Sequence, residues 1–189
     1  MYTKNVIIWT FGASIFLMGC ANKNKDLNNP PLKMIEMVDF SHVNITDSFW
    51  KPRLGKLSTT TLPVCIDQIE NQTGRIQNFE NASSKTGKHL GIYFDDSDVY
   101  KALEGIAYTL VIHPNAELEK KADEWIDKIV DAQQPDGYIN TFYTLTNLDD
   151  RWTDMGKHEM YCAGHLLEAG VAYYQATGKR NCWIVASVW

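Results

Sequence analysis

The chain lacks the clustered lysine and arginine that a polyanion-binding surface requires. Its 18 Lys and Arg stand against 23 Asp and Glu, giving a formal net charge of −5. Phosphate backbones are held by dense positive charge, so nucleic acid is excluded as a partner. The G-x-G-x-x-G, P-loop and G-x-S-x-G patterns are missing too, which removes the common nucleotide-binding and serine-hydrolase readings. Only 4 cysteines occur, without C-x-x-C spacing, and this excludes a zinc finger or a disulfide framework. No apolar run reaches the roughly 20 residues that span a bilayer. What is present is a composition of 44% hydrophobic and 12% aromatic residues, enough for the core of one domain. Six Trp, nine Tyr and seven Phe suit a protein that handles sugars, whose C–H faces stack on aromatic rings.

The two ends read differently from the middle. Lys4 precedes a short apolar run over residues 6–18, which matches the parts of a secretory signal. The junction Leu17-Met18-Gly19-Cys20 resembles a bacterial lipobox, and this implies cleavage before Cys20 and lipidation of its thiol. A signal anchor with a chance cysteine is the alternative. Residues 21–31 are polar, rich in Asn and Lys, and end in Pro30-Pro31, so they make a tether. At the other end, Cys182, Trp183, Ile184, Val185, Val188 and Trp189 form an apolar finish. Either these residues dock on the body or the chain is a truncated product, and truncation is the expectation. The mature chain would then be exported and lipid-anchored at a bacterial envelope.

Between the ends, residues 38–50 alternate around Val43, Ile45 and Phe49, predicting a short strand or an extended lead-in. Leu54, Leu57, Leu62, Cys65, Ile66 and Ile69 then recur at helical steps, predicting one amphipathic helix kinked or divided at Pro63. Residues 78–96 read as irregular. Asp96, Ser97 and Asp98 are expected to cap a helix that buries Val99, Leu103, Ile106, Ala107 and Leu110. Asn115 caps the next, with Leu118, Ala122, Trp125, Ile126 and Ile129 on its apolar face and a solvated acidic face opposite. Pro135-Asp136-Gly137 is a turn, 138–145 extended and aromatic, and 157–176 a further helix stopped by Gly178. The short link between 98–113 and 115–133 requires an antiparallel hairpin. About four amphipathic helices joined by long aromatic-bearing loops define an all-α protein, read as hairpins of a toroid rather than a compact bundle.

The densest chemical cluster is His158-Glu159-Met160-Tyr161-Cys162-Ala163-Gly164-His165. Helical spacing puts His158, Cys162 and His165 on one face, a conceivable mixed zinc site. The H-E-x-x-H pattern fails at Cys162, however, and the reach over nearly two turns favours packing roles for Cys162 and His165. His158 stands at the helix start, beside a loop with Trp152, Asp154 and Gly156, where an imidazole can bind a sugar hydroxyl or cap its own helix. Asp95, Asp96 and Asp98 could supply the paired carboxylates of a glycosidase, but caps are the simpler reading.

Four stretches together resemble glycoside hydrolase family 127, the β-L-arabinofuranosidase family. They are Val43-Asn44-Ile45-Thr46-Asp47-Ser48-Phe49-Trp50, Asp96-Ser97-Asp98-Val99-Tyr100-Lys101, Gln133-Gln134-Pro135-Asp136-Gly137-Tyr138 and the His158-to-His165 cluster. The resemblance implies the N-terminal part of an (α/α)6 toroid of the six-hairpin glycosidase type, incomplete, with β-sandwich domains to follow. It also implies a retaining mechanism with a zinc-bound cysteine nucleophile and a glutamate acid/base, whose cysteines lie downstream of everything present. None of Cys65, Cys162 or Cys182 matches them, so no catalytic residue, metal ligand or resident cofactor is assigned within the chain. His158 falls on a family histidine that lines the sugar pocket, and Tyr161 and Asp98 complete the expected substrate-binding set. The expected division is signal at 1–19, tether at 20–37, partial catalytic domain at 38–180 and an aberrant tail at 181–189, where the resemblance stops after Arg180. The expected function is that of a hydrolase fragment acting on arabinose-containing plant glycans, inactive as it stands. A sugar-binding surface lipoprotein and a silent fragment are the alternatives.

Overall fold

The computed structural model describes residues 35–187. The expected signal sequence, Cys20 and most of the expected tether lie outside the described residues. Residues 35–37 belong with the preceding unit, and Val38 opens the body. Among the described residues there is no strand. The lead-in instead makes a single 3-10 turn at Phe40–His42 and is otherwise extended, with the Asp39 side chain accepting from the Ser41 N–H.

Asp47 accepts from the Phe49 and Trp50 N–H groups and so starts α1, Trp50–Lys56. A wide π turn at Leu57–Thr61 follows, then α2 at Leu62–Asp67 and a second π turn at Gln68–Gln72. Pro63 therefore neither breaks nor ends the helix. The wider turn before it, in which the Leu62 N–H reaches back to the Leu57 carbonyl, absorbs the missing bond and the ring's bulk. Gly74, at φ 68°, then turns the chain where a Cβ would strike Leu90. Next comes α3, Arg75–Ser84, in a region whose polar composition predicts irregular chain. Its helical face is short but complete, because Ile76, Phe79 and Ala82 are buried. Asn78, also buried, donates to the Leu90 carbonyl and accepts from the Leu90 N–H, pinning the returning loop.

The longer helices are α4 at Asp96–Ile112, α5 at Ala116–Asp131, the short α6 at Thr141–Leu145, α7 at Glu159–Thr177 and α8 at Asn181–Ser187. Every predicted apolar position of α4 is buried, as are Ala122, Trp125, Ile126 and Ile129 of α5. Each such Leu or Ile contributes about 1.5–3 kcal/mol of transfer free energy. Asn115 caps α5 as expected, accepting from the Glu117 and Leu118 N–H groups. Asp96 and Asp98 bring the expected negative charge to the first turn of α4, but neither they nor Asp95 caps it through a side chain. Asp95 instead accepts from the Ile92 N–H, Asp96 from Thr141, and Asp98 pairs with Arg75. Residues 141–145 become α6 rather than extended chain because Asn140 accepts from the Tyr143 N–H.

The direction of packing follows from residue pairs. Lys101 meets Tyr161, Glu104 lies near His165, and Tyr108 feels the charge of Glu168. Numbers rise together on both helices, so α4 and α7 run parallel. By the same reasoning α5 and α8 are parallel, since Lys179 pairs with Glu119 and Asp123 while Gln133 donates to the Val185 carbonyl. Glu80 pairs with Lys128 and sets α3 alongside α5. One layer thus holds α4 and α7, and a second holds α5 and α8, running oppositely, with α3 beside α5. Two hairpins, α4–α5 and α7–α8, repeat side by side, as in part of a helical toroid. The apolar finish docks within this arrangement, for Cys182 and Val185 of α8 are buried in the common core.

Candidate functional site

Parallel packing brings the starts of α4 and α7 to one rim, together with the loops before them. His158 sits there with φ 60°, a left-handed conformation unusual for a side chain with Cβ, and makes no side-chain cap. Its ring is stacked against Tyr93 (centroids 5.9 Å, 27°) and edge-on to Phe94 at 5.3 Å. Tyr161 lies 5.8 Å away on the other side. Lys157 places its ammonium 4.4 Å over the Tyr93 ring and 5.6 Å from Phe142, which in turn meets His89. Burial holds the His89 imidazole below the usual histidine range, with the nearby Asp95 carboxylate opposing the shift.

Of the residues expected to bind substrate, His158 and Tyr161 are in direct ring contact. Asp98 joins them through Lys101, whose ammonium is 3.7 Å from the Asp98 carboxylate and 4.7 Å over the Tyr161 ring. Asp98 is also held by Arg75 at 3.0 Å. Not foreseen in the sequence were Tyr93, Phe142, Lys157 and His89, which come from segments far apart in the chain, Phe142 from α6. The aromatic pair Tyr93-Phe94 just before an acidic helix start was the available signal.

Behind the rim, Glu159 is buried and its two oxygens are committed. Oε1 accepts from the Tyr138 hydroxyl at 2.5 Å and Oε2 from the Trp152 N–H at 2.7 Å. Burial, then the Glu159 carboxylate, drives the Tyr138 phenol well above its ordinary range. Asp96 is fully buried against Thr141, which donates both its N–H and its hydroxyl. Burial raises the Asp96 carboxyl to about 6 against those two bonds. The acids at the rim are therefore fasteners, each bonded to the chain around it, rather than a free carboxylate pair.

Among the described residues the cysteines, Cys65, Cys162 and Cys182, are free thiols. Cys162 faces the Phe94 carbonyl, and burial pushes it and Cys182 up to about 12, which disfavours the thiolate that nucleophiles and metal ligands need. The mixed site of His158, Cys162 and His165 does not assemble. Among the described residues the one group of metal-type donors within reach of each other is Glu104, His165 and Glu168, with no cysteine in it. These residues do not fit the zinc–cysteine centre implied by the family, and no step is routed through one. A cavity of about 880 Å³ lies at the far end of α4. Val43, Ile45, Pro52, Leu54, Tyr108 and Ile112 make its lining mostly apolar, so it is the rim that carries the polar chemistry.

Helical hairpins layered in parallel, with no strand among the described residues, are consistent with an incomplete helical toroid. Residues 42–187 match the family described as "Beta-L-arabinofuranosidase, GH127 catalytic domain", running past Arg180 to the end of α8. The chain belongs to the GH127 family. It is 34% identical over 171 residues to the non-reducing end β-L-arabinofuranosidase of Bifidobacterium longum subsp. longum, covering 77% of this chain and 26% of that protein. The crystal structure of a GH127 β-L-arabinofuranosidase from Geobacillus stearothermophilus T6 superposes with a TM-score of 0.74 at 40% identity, over 76% of this chain and 24% of that one. A further GH127 β-arabinofuranosidase structure gives 0.72 at 39% identity, with 78% and 25% covered. The chain thus spans about a quarter of the length of these relatives.

Proposed function

We propose that this chain forms the sugar-holding rim of a β-L-arabinofuranosidase-type hydrolase and does not cleave glycosides by itself. The observation that carries the reading is the His158 ring held between Tyr93, Phe94 and Tyr161 where α4 and α7 begin together. An imidazole so placed offers a polar edge to a sugar hydroxyl, flanked by aromatic faces that suit its C–H groups. Lys101 and Asp98 supply further hydroxyl partners at the edge of the same surface. Cleavage needs an acid and a nucleophile or base across the scissile bond. The rim acids Asp95, Asp96 and Glu159 are committed to internal bonds instead.

The substrate class is an arabinose-containing glycan. The purified chain should bind methyl β-L-arabinofuranoside in ligand-observed NMR, lose that binding on His158→Ala, and release no arabinose. Chelator-sensitive turnover by the 189-residue chain would overturn the inactive reading. A second reading, a surface lipoprotein that binds sugar without hydrolysis, is favoured by the packing of Cys182 and Val185 of α8 into the body. Both readings place the protein at the cell envelope through a lipid on Cys20. No helix among the described residues is long and apolar enough to cross a membrane. Cys20→Ala should move the protein from the membrane fraction to the soluble one, and an unchanged distribution would remove the anchor.

A further inference from the structure

Trp152 lies on the loop leading to His158 and has φ 66°, a backbone conformation that costs energy for a bulky aromatic residue. Such a conformation persists only where its surroundings over-determine it, and here they do. The Trp152 N–H is tied to buried Glu159, its ring meets Tyr138 edge-on at 5.6 Å, and Tyr138 donates to the same Glu159 carboxylate. Arg151 closes the loop from the other side by pairing with Asp136 at 2.6 Å while lying over the Tyr138 ring. All of this holds an indole that remains 51% exposed. Trp125, by contrast, is fully buried in the core.

The indole borders a cavity of about 160 Å³ that also contacts His158, Glu159 and Tyr161. A lining of aromatic, imidazole and methionine side chains together with two acids, Asp154 and Glu159, disfavours an anion and suits a neutral polyol with one apolar face. We propose that Trp152 is the stacking platform for a neutral sugar ring bound at His158, and that Glu159 is the positioning residue that holds the platform in place. This rests on the reading of the rim as a sugar site and adds to it the face against which the sugar lies. It also gives the glutamate of the His-Glu pair a task other than acid–base chemistry. Glu159 spends both carboxylate oxygens on Tyr138 and the Trp152 N–H, so it acts through the Trp152 backbone.

The test is a double-mutant cycle on the purified chain, with methyl β-L-arabinofuranoside titrated by ligand-observed NMR and tryptophan fluorescence. Trp152→Ala should weaken binding roughly tenfold, the size of one good aromatic contact, with circular dichroism and Tm unchanged. Trp152→Phe should restore part of the loss. Glu159→Ala should weaken binding as much as Trp152→Ala does, and the double variant should lose no more than either alone. If Glu159→Ala fails to fold, Glu159→Gln replaces it, with a smaller loss that again vanishes in the Trp152→Ala background. Additive losses would overturn the positioning role. Binding that depends on His158 but is indifferent to Trp152→Ala would overturn the platform while leaving the rim reading intact. No sugar binding by the unaltered chain would overturn both.

Discussion

The layer of α3, α5 and α8 and the rim where α4 and α7 begin are built by opposite means. In the first, Trp125 is fully buried with its indole N–H on Glu70, and lysines pair with glutamates at the surface. Its helix caps and periodic faces follow ordinary helix chemistry. At the rim, by contrast, Trp152 and His158 have positive φ, and a buried acid, Asp96, is held by Thr141. Strained backbone costs stability, and a fold carries it where a surface must be held in a set shape.

The contrast is open to measurement. Trp125→Ala should cost about 3–5 kcal/mol in denaturant unfolding while leaving sugar affinity of the folded fraction unchanged. A comparable loss of affinity would mean that the two regions are not separate.

Asp96 gives the next effect. Its folded carboxyl is raised to about 6 from 3.8, so the native state binds the proton more tightly than the unfolded state. The stabilisation is complete below pH 4 and is lost as the pH rises through 6, a fall on the order of 3 kcal/mol. Stability curves at several pH values should show that decline in the unaltered chain and a flat line in Asp96→Asn. An identical slope in both would remove Asp96 as its source.

At His158, glycine should exceed alanine in stability by about 1 kcal/mol, reversing the usual helix order, because only glycine takes φ 60° without penalty. Thermal melts of the two variants decide this, and both should lose sugar binding. The smallest effect belongs to Lys179. Its pairs with Glu119 and Asp123 are roughly 40% exposed, so Lys179→Ala should cost under about 1 kcal/mol and nothing measurable at high salt.

What could be read in advance differs between the regions for the same reason. The buried faces of α4 and α5 and the Asn115 cap were legible because a 3.6-residue period and a capping side chain act locally. Helix α3 was hidden, since its three buried positions sit among polar residues, and Asn78 makes sense only once Leu90 has returned to it. Pro63 misled for a related reason, because a π turn can absorb a proline at no visible cost in pattern. The acids before α4 looked like caps, yet the loop bearing Thr141 and the arrival of Arg75 gave them other partners. His158 and Tyr161 were legible as a motif, whereas Tyr93, Phe142 and Lys157 were not.

By itself, then, the sequence determined the helical class, the faces that meet in the core and the resemblance carried by the stretches around Asp96, Pro135 and His158. Those properties depend on side chains a few residues apart on one helix or in one turn. Only the tertiary structure decided that α4 and α7 run parallel, so that loops from three parts of the chain share one rim. It alone turned Glu159 into a buried clamp and left Trp152 facing solvent. Contacts between segments tens of residues apart are fixed by packing and by the satisfaction of buried polar groups, and no local period in the chain encodes them.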